Sequence, residues 1–134
     1  MKLKLPQIIY TLALFFIIYS AGCSKNSGSS ASIVGQWDVL NLRVVQKQSS
    51  IVLRDSLYPY HNDTMTFTSD GRYTYAGRNN VSGTYTLAGN TLILTQGGSS
   101  NINQINTLAD HSLQTQYTVT NAPFTTDYIY SYSR

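Results

Sequence analysis

From Ile33 onward the sequence predicts an all-β domain, an eight-stranded antiparallel up-and-down β-barrel, and three observations carry that expectation. No long window repeats apolar residues at spacings of three and four, as an amphipathic helix would. Period-two alternation recurs instead in short runs separated by glycine-bearing turn signals. Consecutive hairpins in that number must either close on themselves or leave open edges, and closure removes the edges. A two-layer β-sandwich is the alternative architecture.

The elements follow in chain order. Trp37 and Val39 alternate on a first strand that runs on through Leu42 and Val45, and a weaker strand follows around Ser50 to Arg54. Met65 and Phe67 lead into Ser69-Asp70-Gly71, and Tyr73 and Tyr75 return on the same side, a hairpin with glycine available for positive φ. Tyr85 and Leu87 run to Ala88-Gly89-Asn90 and come back as Leu92 and Leu94. The two glycine-bounded stretches Gly71–Gly77 and Gly83–Gly89 look alike because neighbouring strands have similar needs, so no duplication is required. Gln96 to Ser100 reads as a polar loop, after which Ile102–Leu108, Leu113–Val119 and Asp127–Ser133 supply the last strands. Pro59, within Leu57-Tyr58-Pro59-Tyr60-His61, interrupts pairing and leaves two aromatic rings on a segment that either links strands or caps a barrel mouth.

The 134-residue chain carries a formal charge of +3, much of it in its first residues. Lys2 and Lys4 precede an apolar run from Ile8 to Ile18, well short of the roughly 20 residues of a permanent membrane span, so residues 1–22 read as a secretory signal. Beyond it, Lys25, Arg43, Lys47, Arg54, Arg72, Arg78 and Arg134 stand against six Asp and no Glu, a balance of +1. That excludes the clustered basic face that nucleic acid requires. Cys23 is the single cysteine and has no disulfide partner. Residues 23–32 hold Cys23 and a Ser/Gly-rich tether of roughly 15–18 Å root-mean-square reach, and residues 33–134 form one domain.

Catalytic and metal chemistry find little footing. His61 lies near Asp63 and Asp110 adjoins His111, but no H-x-H, C-x-x-C or E-x-x-H spacing supplies converging ligands. Turn-forming Asp and exposed loop His account for both pairs. Without Glu, a phosphate loop or a dinucleotide fingerprint, acid-base catalysis would rest on lone Asp residues. No catalytic residue, metal or cofactor is assigned, and an enzyme on a barrel scaffold is only the third class of reading. The compositional anomaly is tyrosine, eleven in all. Phe67, Tyr73, Tyr75, Tyr85, Tyr117, Tyr128 and Tyr130 are the candidates for a ligand pocket. Tyr128, Tyr130 and Tyr132 share one strand face, and inward-pointing rings would join apolar walls to hydroxyls. Tyrosine also fills strand interiors without any guest.

Two resemblances sharpen these readings. Ser20-Ala21-Gly22-Cys23 resembles the lipobox of bacterial lipoproteins, which implies cleavage before Cys23, diacylglycerol on its sulfur and an acyl chain such as palmitate on its new amine. Ser24, Lys25 and Asn26 after the cysteine imply an outer-membrane lipoprotein facing the periplasm. Gly35-Gln36-Trp37 resembles the G-x-W signature of lipocalins. Met65 to Tyr75 and Gly83 to Leu92 resemble the corresponding runs of small lipocalin-like lipoproteins of Bacteroidetes. Tyr132-Ser133-Arg134 is similar to the family's closing basic residue, implying that Trp37 is buried and that Arg134 packs over it. Asp55-Ser56-Leu57 and Asp63-Thr64-Met65 resemble Bacteroidetes O-glycosylation acceptors. The resemblance implies a non-catalytic module, held to the membrane through Cys23, that binds a small hydrophobic or amphipathic molecule in its barrel. The alternative is a packed barrel that contacts an envelope protein, as interaction module or inhibitor, through loops such as Tyr58–Asn62 or Gln96–Asn101.

Overall fold

A computed structural model describes residues 31–134 of the chain. The signal segment, Cys23 and the tether up to residue 30 lie outside the described residues. Those described form β1 (Gly35–Gln48), β2 (Ile51–Pro59), β3 (Thr64–Phe67), β4 (Arg72–Ala76), β5 (Val81–Ala88), β6 (Thr91–Gln96), β7 (Ser99–Ala109), β8 (Ser112–Asn121) and β9 (Phe124–Ser133). Each strand from β3 to β9 pairs antiparallel with the next, β3 pairs with β1, and β9 returns to β1, from Gln48↔Phe124 to Asp38↔Ser133. The expected eight-stranded antiparallel barrel is therefore closed, and the sandwich is excluded. The additional strand is β2, the stretch that reads in sequence as a weak strand.

Its placement follows from the register. β9 occupies one edge of β1, so β2 (Asn41↔Pro59 to Gln48↔Ile51) and β3 (Asp38↔Thr64 to Gly35↔Phe67) share the other edge. They act as one long strand broken at Tyr60–Asp63. β2 pairs with β1 alone, and it stands as an arm above the barrel with Ile51 67% and Leu57 64% exposed. Lys47 ties the tip of this arm to β9 through Asp127 at 2.7 Å, and Thr118 donates to the same carboxylate at 2.7 Å. Burial works to raise the Asp127 pKa, but these hydrogen bonds together hold it below the usual carboxylate range.

One turn is tighter than the sequence reading has it. The expected loop Gln96–Ser100 is a two-residue Gly97-Gly98 turn at φ 56° and 85°, and Ser99 already pairs with Gln96. Two adjacent glycines meet the double positive-φ requirement of such a hairpin, so the strands run to its tip. Gly71, at φ 80°, closes the β3–β4 turn as expected.

The lower end of the barrel is solid. Trp37, Phe67, Leu92 and Leu113 are fully buried there, joined by Ile33, Ile105 and Tyr132. The Trp37 indole donates to the Ile33 carbonyl at 2.8 Å, and the Arg134 guanidinium lies 4.2 Å from its ring centroid. Arg134 also donates to Val34 O at 2.9 Å and Asp110 O at 2.6 Å. One side chain thus ties the approach to β1, the β7–β8 turn and the end of β9 over the indole. The ring fills volume that no aliphatic side chain could, while the cation over its face adds about 0.5–2 kcal/mol. We expect Trp37→Ala to cost about 3–5 kcal/mol in urea unfolding, and Arg134→Ala a smaller amount of the same sign. A wild-type midpoint for Trp37→Ala would refute the plug.

Candidate functional site

Above the Trp37 layer the interior opens into a cavity of about 340 Å³, toward the lower end of the ~300–1,000 Å³ common for small-molecule sites. Strand parity builds its wall. β3 and β4 contribute Met65, Tyr73 and Tyr75, and β5 and β6 contribute Val81 and Leu94. β7 adds Asn101 and Asn103, β8 adds Tyr117, and β9 adds Tyr130 and Tyr132, with Val39 of β1 at the floor and Tyr60 at the strand break. Apart from Tyr73 and Tyr132, which reach down to the packed layer, these side chains belong to the upper ends and middles of their strands, so the mouth lies opposite the plugged end.

Local geometry explains how the rings fit. Gly83 faces Tyr73 in the β4–β5 register, and a Cβ there would come within 2.7 Å of the Tyr73 ring and 2.2 Å of the Thr95 carbonyl. The missing side chain is what lets the Tyr73 ring lie over β5. On the far wall, Tyr117 and Tyr128 form a direct cross-strand pair, stacked at 4.6 Å with an interplanar angle of 6°. Tyr130 continues the ladder, 6.5 Å from Tyr117 and 6.3 Å from Tyr132. Tyr60 folds over its upper end, 6.4 Å from Tyr130. Such pairs add roughly 0.5–1.5 kcal/mol each beyond their buried area, so the ladder is a rigid wall.

The polar groups are placed with equal economy. Tyr75 donates its hydroxyl to the carboxylate of Asp63, which is buried. Tyr132 and Thr115 hydroxyls lie 3.4 Å apart, and Asn103 donates to Asn101 O at 3.3 Å. Burial pushes the Tyr130 phenol well above its ordinary value, reinforced by Tyr117 and Tyr60. Tyr75 rises through burial and then its bond to Asp63, and burial lifts Tyr132 to about 12. At neutral pH the wall is therefore a set of protonated phenols that can both donate and accept.

Of the sequence candidates, Tyr73, Tyr75, Tyr117 and Tyr130 line the cavity. Phe67, Tyr85 and Tyr128 do not. Phe67 belongs to the packed lower layer, where the Tyr85 ring meets it edge-on at 5.0 Å and the Tyr85 hydroxyl is spent on Thr68 O at 2.9 Å. Tyr128 stands behind Tyr117 as its stacking partner. Tyr132 was foreseeable from its two-residue spacing to Tyr130, whereas Asn101 and Asn103 share the parity of Ile105, which competes in sequence with that of Ile102 and Leu108. Tyr60 carries no comparable signal, because a broken strand obeys no period. Of the two rings expected on an exposed loop, Tyr60 is half-buried in the cavity wall, while Tyr58 lies in β2, where Arg54 donates to its hydroxyl at 3.0 Å. Asp63 is likewise no simple turn residue, since it is buried against Tyr75. His61, Asp110 and His111 are exposed, and His111 Nδ1 lies 2.9 Å from Arg134 O. Ser56 and Thr64 both sit within paired strands.

The phenols imply an alkaline signature. A group whose folded pKa is raised loses its stabilising contribution as pH climbs from the unfolded value, about 10 for tyrosine, through the folded one. Stability should be constant across neutral pH and fall between about 10 and the Tyr132 value of about 12, with Tyr132→Phe flattening that fall in ultraviolet-monitored unfolding. An unchanged alkaline limb in Tyr132→Phe would contradict the assignment. No family model matches the chain, and no curated protein matches it in sequence.

Proposed function

We propose that this protein is a membrane-tethered, non-catalytic, lipocalin-like lipoprotein that holds one small hydrophobic or amphipathic molecule in its barrel. The observation that carries the reading is the tyrosine-walled cavity above a solid, plugged floor. Val39, Met65, Val81 and Leu94 offer an apolar lining, and the Tyr and Asn side chains offer a polar fringe for a head group. The G-x-W motif at Gly35–Trp37 and the Trp37–Arg134 contact support the family resemblance. Anchorage rests on the lipobox-like Ser20–Cys23, and the outer membrane's periplasmic face on the non-acidic residues that follow it.

The second reading, an interaction module of the cell envelope, draws on the exposed apolar side chains of β2. It presumes a filled interior, and the open upper half of the barrel favours the first reading over it.

Two experiments decide. Native mass spectrometry of residues 23–134, with extraction of copurified lipid, should yield a stoichiometric small molecule; repeatedly empty protein would remove the binding reading. Cys23→Ser should shift the protein from the membrane to the soluble fraction, and unchanged partitioning would remove the anchor.

A further inference from the structure

The cavity's charge inventory narrows its guest, given the reading of the lumen as a ligand site. Among the described residues, every side chain lining it is Val, Leu, Met, Tyr or Asn, so no counter-charge waits inside. Among the described residues, five of the six Lys and Arg side chains are engaged elsewhere. Arg43, Lys47 and Arg72 hold Asp55, Asp127 and Asp70, Arg54 binds the Tyr58 hydroxyl, and Arg134 covers Trp37. Arg78 is exposed on the β4–β5 turn, and its field at the Tyr75 hydroxyl is weaker than that of the buried Asp63 carboxylate. An anionic head group entering here would shed its hydration with nothing to replace it and would meet Asp63 nearby. A quaternary ammonium is a different case, because the tyrosine ring faces attract a cation, so the exclusion drawn from the missing counter-charge concerns anions. Hydroxyls and primary amides, by contrast, donate and accept, and so satisfy an uncharged hydroxyl, ester or amide.

From this we infer that the lumen selects an uncharged amphiphile, an apolar chain ending in a hydroxyl-type head among Tyr60, Tyr117, Tyr130 and Asn103, and excludes carboxylates of the same chain length.

The test is calorimetric titration of residues 23–134 carrying Cys23→Ser with 1-octanol, octanoate and octyltrimethylammonium at pH 7. Octanol should bind at least about tenfold more tightly than octanoate, the equivalent of one pKa unit of discrimination, while the ammonium reports the pull of the ring faces on a cation. Octanoate should recover affinity as pH falls toward about 4, where its carboxyl becomes neutral. Val81→Lys, which puts a cation at the upper rim, should reverse the order of octanol and octanoate at pH 7. Should that variant not fold, the wild-type comparison still decides. Octanoate binding as tightly as octanol at pH 7 would overturn the charge selection and leave the lumen a ligand site. No binding of any of the three would overturn both.

Discussion

The irregularity of β1 at Leu40 divides the barrel into its two halves. On the β9 edge the register slips between Val39 and Asn41, and on the other edge the pairing passes from β3 to β2 at the same level. Two backbone bonds hold the junction, Val39 N to Asp63 O at 2.8 Å and Tyr60 N to Leu40 O at 3.0 Å. A bulge of this kind bends a strand and increases its twist. Below Leu40, β1 is locked between β3 and β9 and the interior is packed. Above it, β1 exchanges β3 for β2, which has no partner on its outer side. The pocket and the exposed arm are thus two consequences of one local change in pairing, and the broken segment Tyr60–Asp63 contributes to both. Tyr60 closes on the cavity, while Asp63 fixes the Tyr75 hydroxyl.

Why the upper half stays open follows from side-chain volume. An eight-stranded barrel is only just filled by its own side chains, so small differences between layers matter. The lower layer places an indole, a phenyl ring and branched aliphatics against one another. The upper layer uses long, flat tyrosines whose mutual stacking holds the rings along the wall. Gly83 assists on the opposite side by giving the Tyr73 ring room over β5. The same residue type therefore serves two ends: Tyr85 is spent on the core and on Thr68, whereas Tyr117 and Tyr130 present their surfaces to the lumen.

Fold class was legible because parity and turn chemistry agree along most of the chain. Trp37 with Val39, Met65 with Phe67 and Tyr73 with Tyr75 each share a face, and Gly71, Gly89 and Gly97-Gly98 mark hairpin turns at positive φ. The burial of Trp37 beneath Arg134 was legible only through the family resemblance, since one indole and one distant guanidinium announce no contact by themselves. What sequence could not show is depth along the barrel axis. Period two assigns a residue to a face but not to a layer, so Phe67 and Tyr85 look as good for a pocket as Tyr73 and Tyr75. Asn101 and Asn103 read naturally as outward polar positions, yet Ile105 fixes their parity inward and leaves Ile102 62% exposed. The strand break at Tyr60–Asp63 lies level with the β1 bulge, and Pro59 before it and Asn62 at φ 62° within it are the residues that suit the departure from extended pairing.

The two ends of the barrel also have different relations to the rest of the chain. Ile33 packs beside Trp37, so the polypeptide enters at the plugged end, and β1 then runs about 45 Å to the tip of the arm. The cavity mouth lies on the arm's side. If Cys23 carries the anchor proposed for it, the attachment lies on the side of the closed end, at the pole opposite the mouth and the apolar arm. The exposed Ile51, Val52, Leu53 and Leu57 of β2 belong to that same far side and stay exposed, because the outer edge of β2 pairs with no strand among the described residues and no element covers these side chains.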